Sequence, residues 1–111
     1  MANAYKVLGQ VKPSATTATT LYTVPGGSVL SAVCSALSIC NMGAAAASFR
    51  VAVRVAGAAL EDKQYIVYDN YVNPYDTIFL TLGLTFATTD IVTVYCSLAT
   101  VVFNLFGSEV L

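Results

Sequence analysis

Runs of β-branched and aromatic residues, each cut short by Gly, Pro, Asn or Asp, follow one another along the whole chain at spacings of roughly ten to fifteen residues. That pattern constrains the fold more than any other feature. The clearest run is Phe49–Val55. Phe49, Val51, Val53 and Val55 share one parity, and Arg50, Ala52 and Arg54 share the other. Side chains alternate across a strand, so this is a strand with one buried face. No stretch shows convincing apolar spacing at the 3.6-residue period of a helix.

Read in this way, residues 4–11 form a first strand, closed by Lys12-Pro13-Ser14. Proline cannot donate to a ladder and restrains the residue before it. A strand near 20–24 follows and ends at Pro25-Gly26-Gly27. Residues 28–40 are ambiguous, because apolar side chains occupy both parities. Either both faces are covered or a bulge swaps them midway. Ala and Leu would also permit a helix there, but Val29, Val33 and Ile39 are β-branched and no cap is evident. Further strands are predicted at 49–55, 65–69, 77–86, 91–98 and 101–107, with a charged loop at 57–64 and turns at 70–76 and 87–90. In the 77–86 strand, Ile78, Leu80 and Leu82 share one parity. The expected fold is all-β: one antiparallel β-sandwich over residues 1–111, jelly-roll-like, with seven to eight strands.

Composition bears on function. Hydrophobic residues make up 57% of the chain and charged residues 10%, against a usual charged share of about 25%. Ser, Thr and Asn supply some surface polarity, and partners cover the rest. Net charge is -1, with only Lys6, Lys12, Arg50, Arg54 and Lys63 basic. That is too little to neutralise a run of phosphates, so no direct nucleic-acid binding is expected. Cys34, Cys40 and Cys96 are an odd set without a CxxC spacing, and read as free thiols. The N-terminal residues MANAYKVLGQVKPS lack the basic and apolar blocks of a signal peptide. The uncharged segment from Pro13 to Phe49 is long enough to span a bilayer as a helix, but it is interrupted by serines, Asn41 and Gly43. No membrane insertion is expected.

Catalysis finds little support. The chain has no His, and no lysine sits in a recognisable frame with a serine. Asp62, Asp69, Asp76 and Asp90 lie in or beside predicted turns, where Asp accepts backbone hydrogen bonds. No cofactor or metal is expected. Tyr65, Tyr68, Tyr71 and Tyr75 cluster around an Asn-Pro turn, a composition suited to protein or glycan contact. Candidate contact residues are Arg50 and Arg54 on a strand face, Tyr71 and Tyr75 on a loop, and Val102 and Phe106 on the last strand. In that strand, Val101, Phe103 and Leu105 are expected to close the core. Val102, Asn104 and Phe106 are expected to meet another subunit.

Several of these elements recur in a known order. Asn41 and Gly43 form an Asn-x-Gly turn before the Phe49–Arg54 strand. A Gly-Ala-Ala loop follows at Gly57–Ala59, then a Tyr-rich strand ending at Asp69. Asp76-Thr77 opens the next strand, and Phe103-Asn104-Leu105-Phe106-Gly107 closes the chain's last one. Over roughly residues 5 to 110 this resembles small virion structural proteins of tailed bacteriophages. The resemblance implies a non-enzymatic β-sandwich module, folded in the host cytoplasm and assembled on the virion. It implies a symmetric oligomer, such as a homotrimer, bound to the major capsid protein as a decoration (cement) protein. The alternative it leaves open is a tail or baseplate component, bound to tail proteins and touching host glycans.

Overall fold

The computed structural model describes residues 3–81 and 83–111. Among them the chain forms nine strands: β1 (Asn3–Val11), β2 (Thr19–Thr23), β3 (Ser31–Asn41), β4 (Ala47–Arg54), β5 (Tyr65–Val72), β6 (Thr77–Leu80), β7 (Leu84–Ala87), β8 (Ile91–Cys96) and β9 (Val101–Val110). Every pairing is antiparallel. One sheet has the order β1-β9-β3, with β6 and β7 both on the far side of β3; the other has the order β2-β8-β4-β5. The sheets stack into a sandwich 19 Å deep along its shortest axis, as two layers about 10 Å apart require.

The strand expected over 77–86 is two strands. β6 pairs with the Leu37–Cys40 end of β3, and β7 with its Ser31–Cys34 end. Leu82, expected to share a parity with Ile78 and Leu80, lies outside the described residues. The turn expected over 70–76 is shorter, because β5 runs on to Val72 in register with Ala47 and Ser48 of β4.

The ambiguous 28–40 segment is a strand with a bulge. Ala32 and Cys34 are buried, the register against β9 shifts between Cys34 and Ala36, and Leu37, Ile39 and Asn41 are then buried. One extra residue exchanges the two faces, which explains why both parities are apolar. Gly107 of β9 lies opposite Cys34. A Cβ there would collide with the Val33 carbonyl oxygen. The glycine in Phe103–Gly107 is thus needed for the close approach of the bulged strand.

The core lies between the sheets. Phe103 and Leu105 of β9 and Leu37 and Ile39 of β3 meet Phe49 and Val51 of β4 and Val92 and Val94 of β8. The Phe49 and Phe103 rings pack edge to face, 6.2 Å between centroids. Odd-numbered Val101, Phe103 and Leu105 face inward, as the alternation predicted.

Two buried polar groups tie the ends of the sandwich. Asn41 is 1% exposed. Its Nδ2 donates to Ala45 O at 2.8 Å and to Val72 O at 3.3 Å. Its Oδ1 accepts from Gly43 N–H at 3.0 Å and from the Thr100 hydroxyl at 2.9 Å. One side chain therefore holds β5, the 42–46 turn and the turn before β9. At the other end, buried Glu109 accepts from the Tyr22 hydroxyl at 2.6 Å and from Lys6 Nζ at 3.1 Å. This links β1, β2 and β9. The Tyr22 hydrogen bond, followed by Lys6, holds the Glu109 carboxyl below the usual carboxylate range despite burial.

Asn41→Ala strands these partners and should cost about 2–4 kcal/mol of stability in urea unfolding. A loss below about 1 kcal/mol would show that the turns hold without it. For Glu109, a lowered folded-state pKa means stability that is present above the unfolded value and lost as pH falls through the folded one. Glu109→Gln should therefore melt below wild type near neutral pH. The gap should close on the acid side of about pH 4. A gap that persists unchanged in acid would contradict the clasp.

Candidate functional site

The two outer faces of the sandwich differ in chemistry. On the β1-β9-β3-β6/β7 sheet, the paired rows can be followed from edge to edge. Asn3, Val110, Ser31 and Ala87 form one row, and Tyr5, Ser108, Val33 and Thr85 the next. Val7, Phe106 and Ala36 follow. Then come Gln10, Asn104, Ser38 and Phe79, and last Val102, Cys40 and Thr77. None of these outward side chains is charged. Tyr5 and Phe79, at opposite margins, are 81% and 68% exposed. Val102 and Phe106 sit between them, half-buried by their neighbours. A solvated sheet face normally alternates against the core with charged and polar residues. This one presents small hydroxyls, amides and hydrocarbon. Cys40, on this face, is only partly buried, whereas Cys34 and Cys96 are buried; all three are free thiols. Burial pushes the Cys34 and Cys96 thiols up.

The β2-β8-β4-β5 sheet carries the charge and most of the aromatic rings. Arg50 of β4 lies opposite Tyr95 of β8. Its Nε and a terminal nitrogen donate to the two carboxylate oxygens of Asp69, at 2.6 and 3.1 Å. The guanidinium carbon lies 4.3 Å from the Tyr68 ring centroid and 4.3 Å from that of Tyr95. Tyr65 packs edge-on to Tyr68 at 5.0 Å. The pairing has a backbone cause. β5 shifts register against β4 twice, between Phe49 and Val51 and between Val51 and Ala52. Asp69 has φ 50°, in the left-handed region. Asp tolerates that conformation better than most residues. The bulge aims its carboxylate back over the sheet at Arg50. Hydrogen bonding from Arg50 lowers the Asp69 pKa.

The other expected contact residues fall as follows. Arg54 is turned onto its own chain, donating to Ala58 O at 2.7 Å and Gly57 O at 3.2 Å, and so clamps the 55–58 turn. Both arginines are therefore satisfied internally. Tyr71 and Tyr75 are exposed, at the end of β5 and in the following turn. The structure does not bring them together with Tyr65 and Tyr68 in one site. Instead Asp62, Tyr65 and Tyr68 line a shallow recess of about 460 Å³. The four aspartates divide. Asp90 accepts from Ala56 and Ala87 N–H at 2.8 and 2.9 Å, and Asp76 from Thr77 N–H at 2.9 Å. Asp69 instead forms the ion pair, and Asp62 opens the short turn at Asp62–Gln64. The Arg50–Asp69 pair was missed in the sequence because it depends on a bulge, not on spacing.

Among the described residues no group of His, Cys, Asp or Glu has the arrangement of a metal site, and no helix is long and apolar enough to cross a membrane. Comparison with protein-family models, curated proteins and solved structures returns no match.

Replacing Arg50 with Ala should raise the Asp69 pKa toward the ordinary carboxylate value, as read by carboxyl-carbon NMR titration. An unmoved Asp69 would mean that the bulge alone, and not the guanidinium, sets its titration.

Proposed function

We propose that this chain is a non-enzymatic structural protein of a virion, a capsid decoration protein that lies against the shell and stabilises it. The observation that carries this reading is the uncharged outer face of the β1-β9-β3-β6/β7 sheet. A face so poor in charge favours burial against another protein, since its hydroxyls and amides can pair there and no charge needs desolvating. Val102 and Phe106 at its centre and Phe79 at its margin are the contact residues of choice. Many copies, each held by modest contacts, would sum to stable attachment.

The strand order supports the finer reading of the fold as a jelly roll. With β6 and β7 counted as one interrupted strand, the chain crosses between the sheets at every connection except β4–β5. β1 lies beside β9, and β2 beside β8. Double-sheet jelly rolls recur in viral capsid domains.

A second reading, a tail or baseplate module touching host glycans, is favoured by the recess at Asp62, Tyr65 and Tyr68. Co-sedimentation of the chain with decoration-free particles of its parent phage separates the two. Phe79→Lys places a charge on the uncharged face and should reduce binding at least tenfold, while the protein melts as wild type does. Binding unaffected by Phe79→Lys, together with a glycan-array signal lost in Tyr68→Ala, would overturn the decoration reading in favour of the other.

A further inference from the structure

Among the described residues, four strand edges bound the two sheets, and three of them are closed to another strand. β5 carries two register shifts and the left-handed Asp69. The edge beyond β3 is divided between β6 and β7. β2 has only five residues, with a register shift between Thr20 and Tyr22. Bulges, breaks and short length are the means by which sheets avoid adding strands. β1 is different. It has nine residues, and its first register shift comes only after Val7. Its one charged side chain, Lys6, is engaged by Glu109 at 3.1 Å.

The main-chain groups on that edge can be assigned. Met42 N–H donates to Thr100 O at 2.9 Å and Leu30 N–H to Val110 O at 2.8 Å. Thr100, just before β9, and Val110, at its end, thus turn their carbonyls toward the β3 side, and the even-numbered residues between them follow by alternation. Alternation along an antiparallel strand turns Glu109 and Gly107 toward β1. Their partners there are Ala4 and Lys6. The N–H and C=O groups of Tyr5, and those of Asn3 and Val7 two residues to either side, are left facing outward.

From this we infer that two copies of the chain join through β1, antiparallel and about a two-fold axis at Tyr5. With the other edges closed, β1 of one copy can pair only with β1 of the other, and such an isologous contact is two-fold. Tyr5 is the middle of the regular segment Asn3–Val7. The axis there sets Tyr5 against its counterpart and Val7 against the copy's Asn3. Strand addition at an edge draws its affinity from main-chain hydrogen bonds. The joined sheets share one outer face, uncharged on both halves. The proposal deepens the decoration reading by naming the unit that attaches, and it places an even-numbered assembly where the family resemblance suggests a trimer.

Light scattering coupled to size exclusion tests it. Wild type should elute at twice the 11.6 kDa chain mass. Tyr5→Pro removes the outward N–H without touching the β9 ladder and should give a monomer. Tyr5→Lys keeps every backbone group but brings like charges to the axis, and should also give a folded monomer, whose melting temperature no longer rises with protein concentration as that of the wild-type dimer does. Phe79→Lys, on the far edge, should remain a dimer. A wild-type monomer at all concentrations, or a dimer that survives both Tyr5 variants, overturns the inference. Because Phe79→Lys tests shell attachment and the Tyr5 variants test pairing, either reading can fail alone.

Discussion

The edge-to-face contact of Phe49 and Phe103 joins the two sheets at the centre of the sandwich, and the rest of the molecule follows from which side of each strand it claims. Once odd-numbered residues of β9 and of β4 are committed to the core, Val102, Asn104 and Phe106 must face outward on one sheet, and Arg50 and Arg54 on the other. The two outer faces are therefore complementary products of one packing decision. One collects every exposed ring and charge that β4 and β5 provide. The other is left with hydroxyls, amides and hydrocarbon.

That asymmetry has an energetic logic. The Arg50 guanidinium is held between two tyrosine rings and by both oxygens of Asp69. Arg54 is occupied by the carbonyls of its own turn. Both charged groups are satisfied within the chain, which leaves the charged sheet little reason to seek an acidic partner. The uncharged sheet has no such internal saturation. Its polar groups are uncharged hydroxyls and amides, and its rings at the margins, Tyr5 and Phe79, stand open to solvent. Burial of such a face against protein gains from its apolar area, provided that the partner pairs its hydroxyls and amides.

Much of this was legible in the sequence, and the failures have physical reasons. Alternation found the Phe49–Arg54 strand and the inward parity of the last strand, because a sheet with one buried face writes its pleat directly into the residue order. Bulges erase that record. The extra residue near Ser35 made β3 look apolar on both sides. The shifts in β5 hid the approach of Asp69 to Arg50, and the division of β6 from β7 produced one predicted strand where two exist. Asn41 was recognised as a turn former, but not as the group that satisfies four partners in the interior, since two of those partners, Val72 and Thr100, come from distant segments. The uncharged face itself became visible only when the register placed residues from β1, β9, β3 and β6 side by side.

Hydroxyl-radical footprinting of the free chain and of the intact parent particle tests the central claim most directly. If the uncharged sheet is the covered surface, Phe79, Phe106 and Tyr5 lose reactivity on assembly, while Tyr68, Tyr71 and Tyr75 keep theirs. Protection of the tyrosines around Arg50, with Phe79 and Phe106 still reactive, would contradict it.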